Sequence, residues 1–303
     1  MVRDGAGERP GSRGATRFAP APTGYLHLGH VANALYVWGL ARRDGHRVVL
    51  RIEDHDRQRS RPQFEQAILD DLAWLGFGAD DGPFRQSDDD VVYAAALELL
   101  RFNGLAYACD CSRTTFAEWA RASGGPWAGG GCPGRCRDRA VPDQPGVGLR
   151  IALGGGTESW IDLRLGPQGD VPDREGDLLV RDRAGNWTYP FCVVVDDARQ
   201  GIDLVVRGED LLPATARQIR LGRLLGRGEP PAFLHHPLIR KAGGAKLSKA
   251  DGDTSVRDLR AAGMSAAELI GRAAAAVGLL AEPRELSAVD AAELFAVGPP
   301  LDP

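Results

Sequence analysis

Long apolar runs are missing from this 303-residue sequence, and none reaches the length a bilayer-spanning helix needs. The stretch Met1 to Arg17 is polar and has no apolar core of the kind a secretory leader carries, so a cytoplasmic location without a membrane partner is expected. A surplus of positive charge is missing too, since the net charge is −4. A broad phosphate-gripping surface is therefore not expected, and contact with nucleic acid has to come from a local patch. Cysteine is scarce and clustered: four of the five fall between Cys109 and Cys136, and Cys192 lies in an apolar run. In a cytoplasmic chain that clustering favours a metal over disulfides. Lysine is the scarcest cation. Of 37 basic residues only Lys241, Lys246 and Lys249 are Lys, and they share nine positions. A chain that uses Arg everywhere else has placed compact, mobile ammonium groups together, a common device for holding phosphate.

What is present is an ordinary globular composition, 43% hydrophobic and 26% charged, which excludes disorder except at the ends. Behind a Gly/Arg leader, Arg17 to Pro20 reads as a short strand running into a turn. Helices are expected at His30–Arg43, Gln63–Leu75 and Val91–Asn103, with a strand at Arg47–Ile52 between the first two. That alternation predicts a parallel α/β sheet. Cys109 to Pro145 breaks the rhythm with Gly, Cys, Arg and Pro, and short strands follow at Gly148–Leu153, Ser159–Leu165 and Asp177–Arg181. The α/β rhythm returns with a buried strand at Phe191–Val195, another at Leu204–Gly208 and a helix from Pro213 to Leu225. Helices at Val256–Ala262, Ala266–Val277 and Ala288–Phe295 end the chain, in a tail with nine acids against four Arg beyond Ala250. The expected plan is the first half of a split sheet domain at 1–105, an inserted module at 106–185, the second half at 186–240 and a lysine loop with a helical region at 241–303.

Three motifs carry chemistry. Ala21-Pro22-Thr23-Gly24-Tyr25-Leu26-His27-Leu28-Gly29-His30 lies between a strand and a helix, where free N–H groups and the helix dipole suit phosphate. Gly29 permits close backbone approach, and His27 and His30 can face one ligand. Lys246-Leu247-Ser248-Lys249 sits between Gly243-Gly244 and Asp251-Gly252, as a loop that can close on a triphosphate. Cys109-x-Cys111 and Cys132-x₃-Cys136 are two thiolate pairs with the turn residues a closed tetrahedral zinc site requires.

Arg17 to His30 together with Lys246 to Lys249 resembles the HIGH and KMSKS signatures of class I aminoacyl-tRNA synthetases. The wording of the first, with Arg51-Ile52-Glu53-Asp54 and Val205 to Leu212, looks like the glutamyl/glutaminyl branch. A full glutamyl synthetase of this branch joins its Rossmann-type catalytic domain to a large anticodon-binding portion, whereas about fifty residues of net acidic charge follow the lysine loop here. In that respect the sequence is similar to the glutamyl-queuosine tRNA(Asp) synthetase family. The resemblance implies activation of L-glutamate by ATP, with Mg2+, independently of tRNA, and transfer to the queuosine base in the anticodon of tRNA(Asp). It implies that Arg17, Phe18, Ala19, Pro20, Ala21, Glu53, Tyr189 and Arg207 form the glutamate pocket, with Arg17 and Arg207 on carboxylates and Glu53 on the α-ammonium. Ala21 replaces the family's usual Ser. His27, Gly29, His30, Lys246, Ser248 and Lys249 are implied for ATP, with His27, His30, Lys246 and Lys249 catalytic. One structural zinc is implied on Cys109, Cys111, Cys132 and Cys136, where Cys132 matches a position often held by Tyr. A monomer is expected, and Arg113, Arg135, Arg137 and Arg139 are candidates for an RNA patch. The alternatives are a truncated conventional synthetase charging a tRNA 3′ end, a small-molecule adenylylating enzyme, and a non-catalytic zinc-containing RNA-binding module.

Overall fold

The computed structural model describes residues 14–122, 131–239 and 254–296. Strand β1 (Ala15–Phe18) enters helix α1 (Leu28–Asp44) through the Pro-rich turn, then β2 (Arg47–Ile52), α2 (Pro62–Leu75), β3 (Asp81–Arg85) and α3 (Asp90–Phe102) follow. Next come β4 (Ala106–Cys109), α4 (Arg113–Ala122), β5 (Gly148–Ile151), β6 (Glu158–Asp162), β7 (Gly166–Asp170) and β8 (Leu178–Arg181). The chain continues through α5 (Tyr189–Arg199), β9 (Ile202–Gly208), α6 (Thr215–Leu224), β10 (Ala232–His236), α7 (Val256–Ala261) and α8 (Ala266–Ala276).

Seven strands form the large sheet in the order β3-β2-β1-β9-β10-β6-β7. Every neighbouring pair is parallel except the β6–β7 hairpin. This is the expected Rossmann-type arrangement, and its strands β2 and β9 read as nearly continuous apolar runs because they are buried within the sheet. Within residues 106–185, β4, β5 and β8 make a separate three-stranded sheet, while β6 and β7 extend the large one. Helix α1 lies in the main core, with Leu35, Val37 and Trp38 at most 1% exposed. Trp38 packs on Phe18 and Phe77. Helix α8 lies against α1. No helix among the described residues is long and apolar enough to cross a membrane.

Two expectations are corrected. Phe191–Val195 is not a strand but the core of α5, entered through Thr188 with Pro190 in its first turn. A short β-branched run buried on all sides carries no period, so it does not distinguish a central strand from a buried helix. Ala288–Phe295 is not an α-helix, and its regular part is a 3₁₀ turn from Asp290 to Phe295. Five elements were not anticipated: β3, whose Gly82-Pro83 looks like a breaker; β4, just ahead of the cysteines; α4 in the Cys-rich stretch; β7, whose Gly and Pro read as a turn; and β10, which ends in two histidines.

Candidate active site

In the large sheet the chain runs outward from β1 through β2 to β3, then returns to the other side of β1 with β9 and β10. Such a reversal of strand order leaves a crevice beyond the carboxyl ends of the central strands. Here it is a cavity of about 440 Å³. Residues following β1 (Ala19, Pro20, Ala21) and β2 (Glu53) line it, with Arg207 and Gly208 from β9, His236 from β10, and Arg17, Phe18 and Tyr189. His27, Gly29 and His30 line the same cavity.

His27 is the N-cap of α1. Its Nδ1 accepts from the Gly29 N–H at 3.1 Å, while His30 Nδ1 accepts from the His27 N–H at 3.1 Å. This is a capping box built from two imidazoles, with ring centroids 4.0 Å apart. Because each Nδ1 is an acceptor, each neutral ring carries its proton on Nε2, where it can donate to a phosphate oxygen. A Cβ on Gly29 would sit 2.9 Å from His27 Cε1, so glycine is required for the ring to fold back.

The charged residues divide into two groups. In the first, Arg17 donates through Nε to Asp197 at 3.2 Å and through Nη1 to the Val206 carbonyl. Arg51 donates to Asp197 at 2.7 Å. Asp196 accepts from Gln86 and Tyr93. Two guanidiniums thus balance two aspartates, and Glu53 is the odd charge. Among the described residues its nearest cation is Arg51, at 3.9 Å, beyond hydrogen-bond length, and Arg51 Nη1 is buried with no hydrogen-bond partner there. Burial pushes the Glu53 carboxyl up to about 7, while the two guanidiniums pull the other way. The second group surrounds Arg207, which is 4% exposed. Its Nε donates to His235 Nε2 at 3.0 Å, Nη1 to Gln218 and Nη2 to Thr215 at 2.8 Å. Among the described residues no carboxylate pairs with it, and burial pulls its affinity for the proton down. One cavity therefore presents a buried carboxyl without a bonded cation and a buried guanidinium without an anion. That pattern complements a ligand bearing both an ammonium and a carboxylate.

Sequence reasoning missed Asp197, Arg51, Gln218, His235 and Asp162. Reading α5 as a strand hid the placement of Asp196 and Asp197 in the last turn of a buried helix. His235 and Asp162 carried no motif. Lys241, Lys246, Ser248 and Lys249 lie outside the described residues. The flanks of that stretch do reach the cavity: Ile239 lines it, and Ser255 pairs with His27 in an isolated bridge, with Val256 N–H donating to the Leu26 carbonyl at 2.8 Å.

Cys109, Cys111, Cys132 and Cys136 are brought together and buried, with all four sulfurs within 4.8 Å of one another. Cys111 Sγ lies 3.3 Å from Cys136 Sγ and 3.9 Å from Cys132 Sγ. Tetrahedral zinc with bonds of about 2.3 Å separates its sulfurs by roughly 3.8 Å, so the donor set fits that ion. Arg150 Nε points at Cys109 Sγ at 3.3 Å, a guanidinium suited to a thiolate-rich centre. Of the basic residues nearby, Arg137 and Arg139 are engaged by Asp177 and Asp110, and Arg135 stacks over Trp119.

The chain matches the family model for class I tRNA synthetases (E and Q), catalytic domain, over residues 15–124 and 168–278. It is 41% identical over 284 residues to the Glutamyl-Q tRNA(Asp) synthetase of Symbiobacterium thermophilum, covering 88% of this chain and 87% of that protein. It is 41% identical over 251 residues to Glutamate--tRNA ligase 2 of Halorhodospira halophila, covering 81% of this chain and 53% of the relative. Among solved structures, the glutamate tRNA ligase of Elizabethkingia meningosepticum in complex with its amino acid superposes with a TM-score of 0.76 at 26% identity. That match covers 93% of this chain and 64% of the other. Fold, cavity and sequence converge, and the chain belongs to the class I tRNA synthetases of the E and Q group, in the glutamyl-Q tRNA(Asp) synthetase family.

Proposed function

We propose that this protein activates L-glutamate with ATP to glutamyl-adenylate, independently of tRNA, and transfers the glutamate to the queuosine base in the anticodon of tRNA(Asp). The observation that carries the amino-acid half is the pairing, in one cavity, of Glu53 without a bonded cation and Arg207 without an anion. Glu53 takes the α-ammonium, and Arg207 and Arg17 take the carboxylates. Phe18, Ala19, Pro20, Ala21 and Tyr189 shape the pocket around them. Ala21 leaves no side-chain hydroxyl at its position.

The reaction is attack of the α-carboxylate on the α-phosphorus of ATP, releasing pyrophosphate, and the protein's part is to position and neutralise. His27 and His30 donate to phosphate from Nε2, with Gly29 allowing the approach. Lys246, Ser248 and Lys249 close over the leaving pyrophosphate, from a segment whose flanks meet the cavity at Ile239 and Ser255. Mg2+ accompanies ATP. The four cysteines hold one structural zinc, which would tie β4 to the turns around Cys132 and Cys136.

The acceptor half is supported by the names of the relatives from Symbiobacterium thermophilum and Rhodobacter capsulatus, both Glutamyl-Q tRNA(Asp) synthetase, at 41% and 40% identity. The test charges labelled glutamate onto two tRNA pools, one with queuosine and one from cells unable to make it. Label on the queuosine pool alone, resistant to periodate treatment of the 3′ end, is expected. Equal label on both pools would make the protein a 3′-end synthetase, a reading favoured by the 41% identity to Glutamate--tRNA ligase 2.

A further inference from the structure

Arg207 is held by an imidazole where a carboxylate would be the commoner partner for a buried guanidinium. His235 is fully buried and sits one strand over, on β10 in register with Arg207 on β9. Its Nε2 accepts from Arg207 Nε at 3.0 Å, so the ring proton is on Nδ1, which faces Asp162 Oδ2 at 2.6 Å. Asp162 ends β6, the next strand of the sheet, and is 1% exposed. It also accepts from the His235 N–H at 3.1 Å, and its Oδ1 accepts from the N–H groups of Arg164 and Leu165. Those donors hold its carboxyl below the ordinary range, against the opposing effect of burial. Burial, helped by the charge of Arg207 and opposed by Asp162, lowers the affinity of His235 for a second proton. The three residues form one line across three adjacent strands: carboxylate, neutral imidazole, guanidinium.

We infer that Asp162 and His235 are positioning residues for amino-acid selection, fixing Arg207 toward the cavity while leaving its positive charge unspent for the side-chain carboxylate of the substrate. A carboxylate placed directly on Arg207 would fix it equally well and neutralise it. An imidazole, with Gln218 and Thr215 on the other two nitrogens, fixes it with neutral acceptors and keeps the neutralising acid one ring away. The inference rests on the proposed role of Arg207 and adds to it where the preference for an anionic side chain is set.

The test measures glutamate-dependent ATP–pyrophosphate exchange with the full chain and its His235→Ala, His235→Gln and Asp162→Asn variants, alongside the nitrogen-15 spectrum of the His235 ring. Losing one buried hydrogen bond to a charged group should raise the KM for glutamate roughly 20-fold in His235→Ala, with the KM for ATP within about twofold. Discrimination against glutamine should fall in parallel. His235→Gln, which offers an amide oxygen to Arg207 and an amide N–H to Asp162, should recover most of the loss. Asp162→Asn should fall between. The ring should show a protonated Nδ1 and an unprotonated Nε2. An unchanged glutamate KM in His235→Ala, or equal rises in both KM values that His235→Gln does not reverse, would overturn the inference, as would a protonated Nε2. If the unaltered protein shows no glutamate-dependent exchange the functional reading itself falls, whereas the ring spectrum judges the line from Asp162 to Arg207 independently.

Discussion

At the scale of single residues the cavity is held in an unbalanced state that its substrate would correct. Glu53 is the residue that reports this. Its carboxyl is raised from 4.5 to about 7 by burial, so the folded chain binds more protons than the unfolded chain between those values. Stability therefore falls as pH rises through that window. Glu53→Gln removes the effect. The variant should match the unaltered protein near pH 4.5 and exceed it by up to about 3 kcal/mol above pH 7, as followed by denaturant unfolding in the absence of glutamate. A gain that does not grow with pH would show that Glu53 is paired in solution. The same substitution should abolish glutamate binding, so stability and affinity move in opposite directions. The residues of the HIGH-like motif and the two pocket arginines were legible because their chemistry is local to a motif. Asp197, His235 and Asp162 were not, since each acts through a partner more than 70 positions away, at Arg17, Arg51 or across β6 and β10.

At the scale of elements, legibility followed periodicity. Helices α1, α2 and α3 and strands β2 and β9 were visible because their apolar spacing or continuous burial matches one geometry. Helix α5 was not, for a run of Val flanked by Phe and Asp fits a buried strand as well as a buried helix. The alternation along Ser159 to Leu165 showed a strand but not which sheet it joins, because register depends on partners and not on the segment. Helix α8 illustrates a contact that no propensity reveals. A Cβ on Gly271 would lie 1.6 Å from the Arg284 carbonyl oxygen, so the segment after α8 crosses directly over that glycine. On an exposed helix, Gly→Ala stabilises, by about 1 kcal/mol. Here Gly271→Ala should lower the melting temperature by several degrees, measured calorimetrically, because α8 and its return segment must separate. An unchanged or raised melting temperature would mean the segment does not pack there.

At the scale of the whole molecule, the small sheet has a core of its own, where Leu149, Ile151, Leu178 and Val180 are buried with Phe191, and the Cys-rich corner beside it has little. Among the described residues only Tyr107, Phe116, Trp119 and Val141 pack around the four sulfurs, and we propose that a bound metal holds this corner. Removing metal with a strong chelator should release about one zinc per chain and expose Trp119 to quencher. The Rossmann-type core, read from the environment of Trp38, should stay folded. Simultaneous loss of both signals would mean that the two parts unfold as one.

The order of the strands has a consequence for synthesis. β1, at residues 15–18, is flanked in the sheet by β2 on one side and by β9, at residues 202–208, on the other. As the chain leaves the ribosome, β1 to β3 can assemble at once, but one edge of β1 stays open until about 120 residues beyond β3 have emerged. Arg17 on β1 and Glu53 after β2 wait without Asp197 and Arg207. The cavity is therefore among the last parts to be completed, and a nascent chain that stalls inside the insertion carries Arg17, Arg51 and Glu53 without Asp196 and Asp197, and has neither Arg207 nor the His235, Gln218 and Thr215 that hold it. Capacity to bind glutamate reports that both halves of the sheet have met.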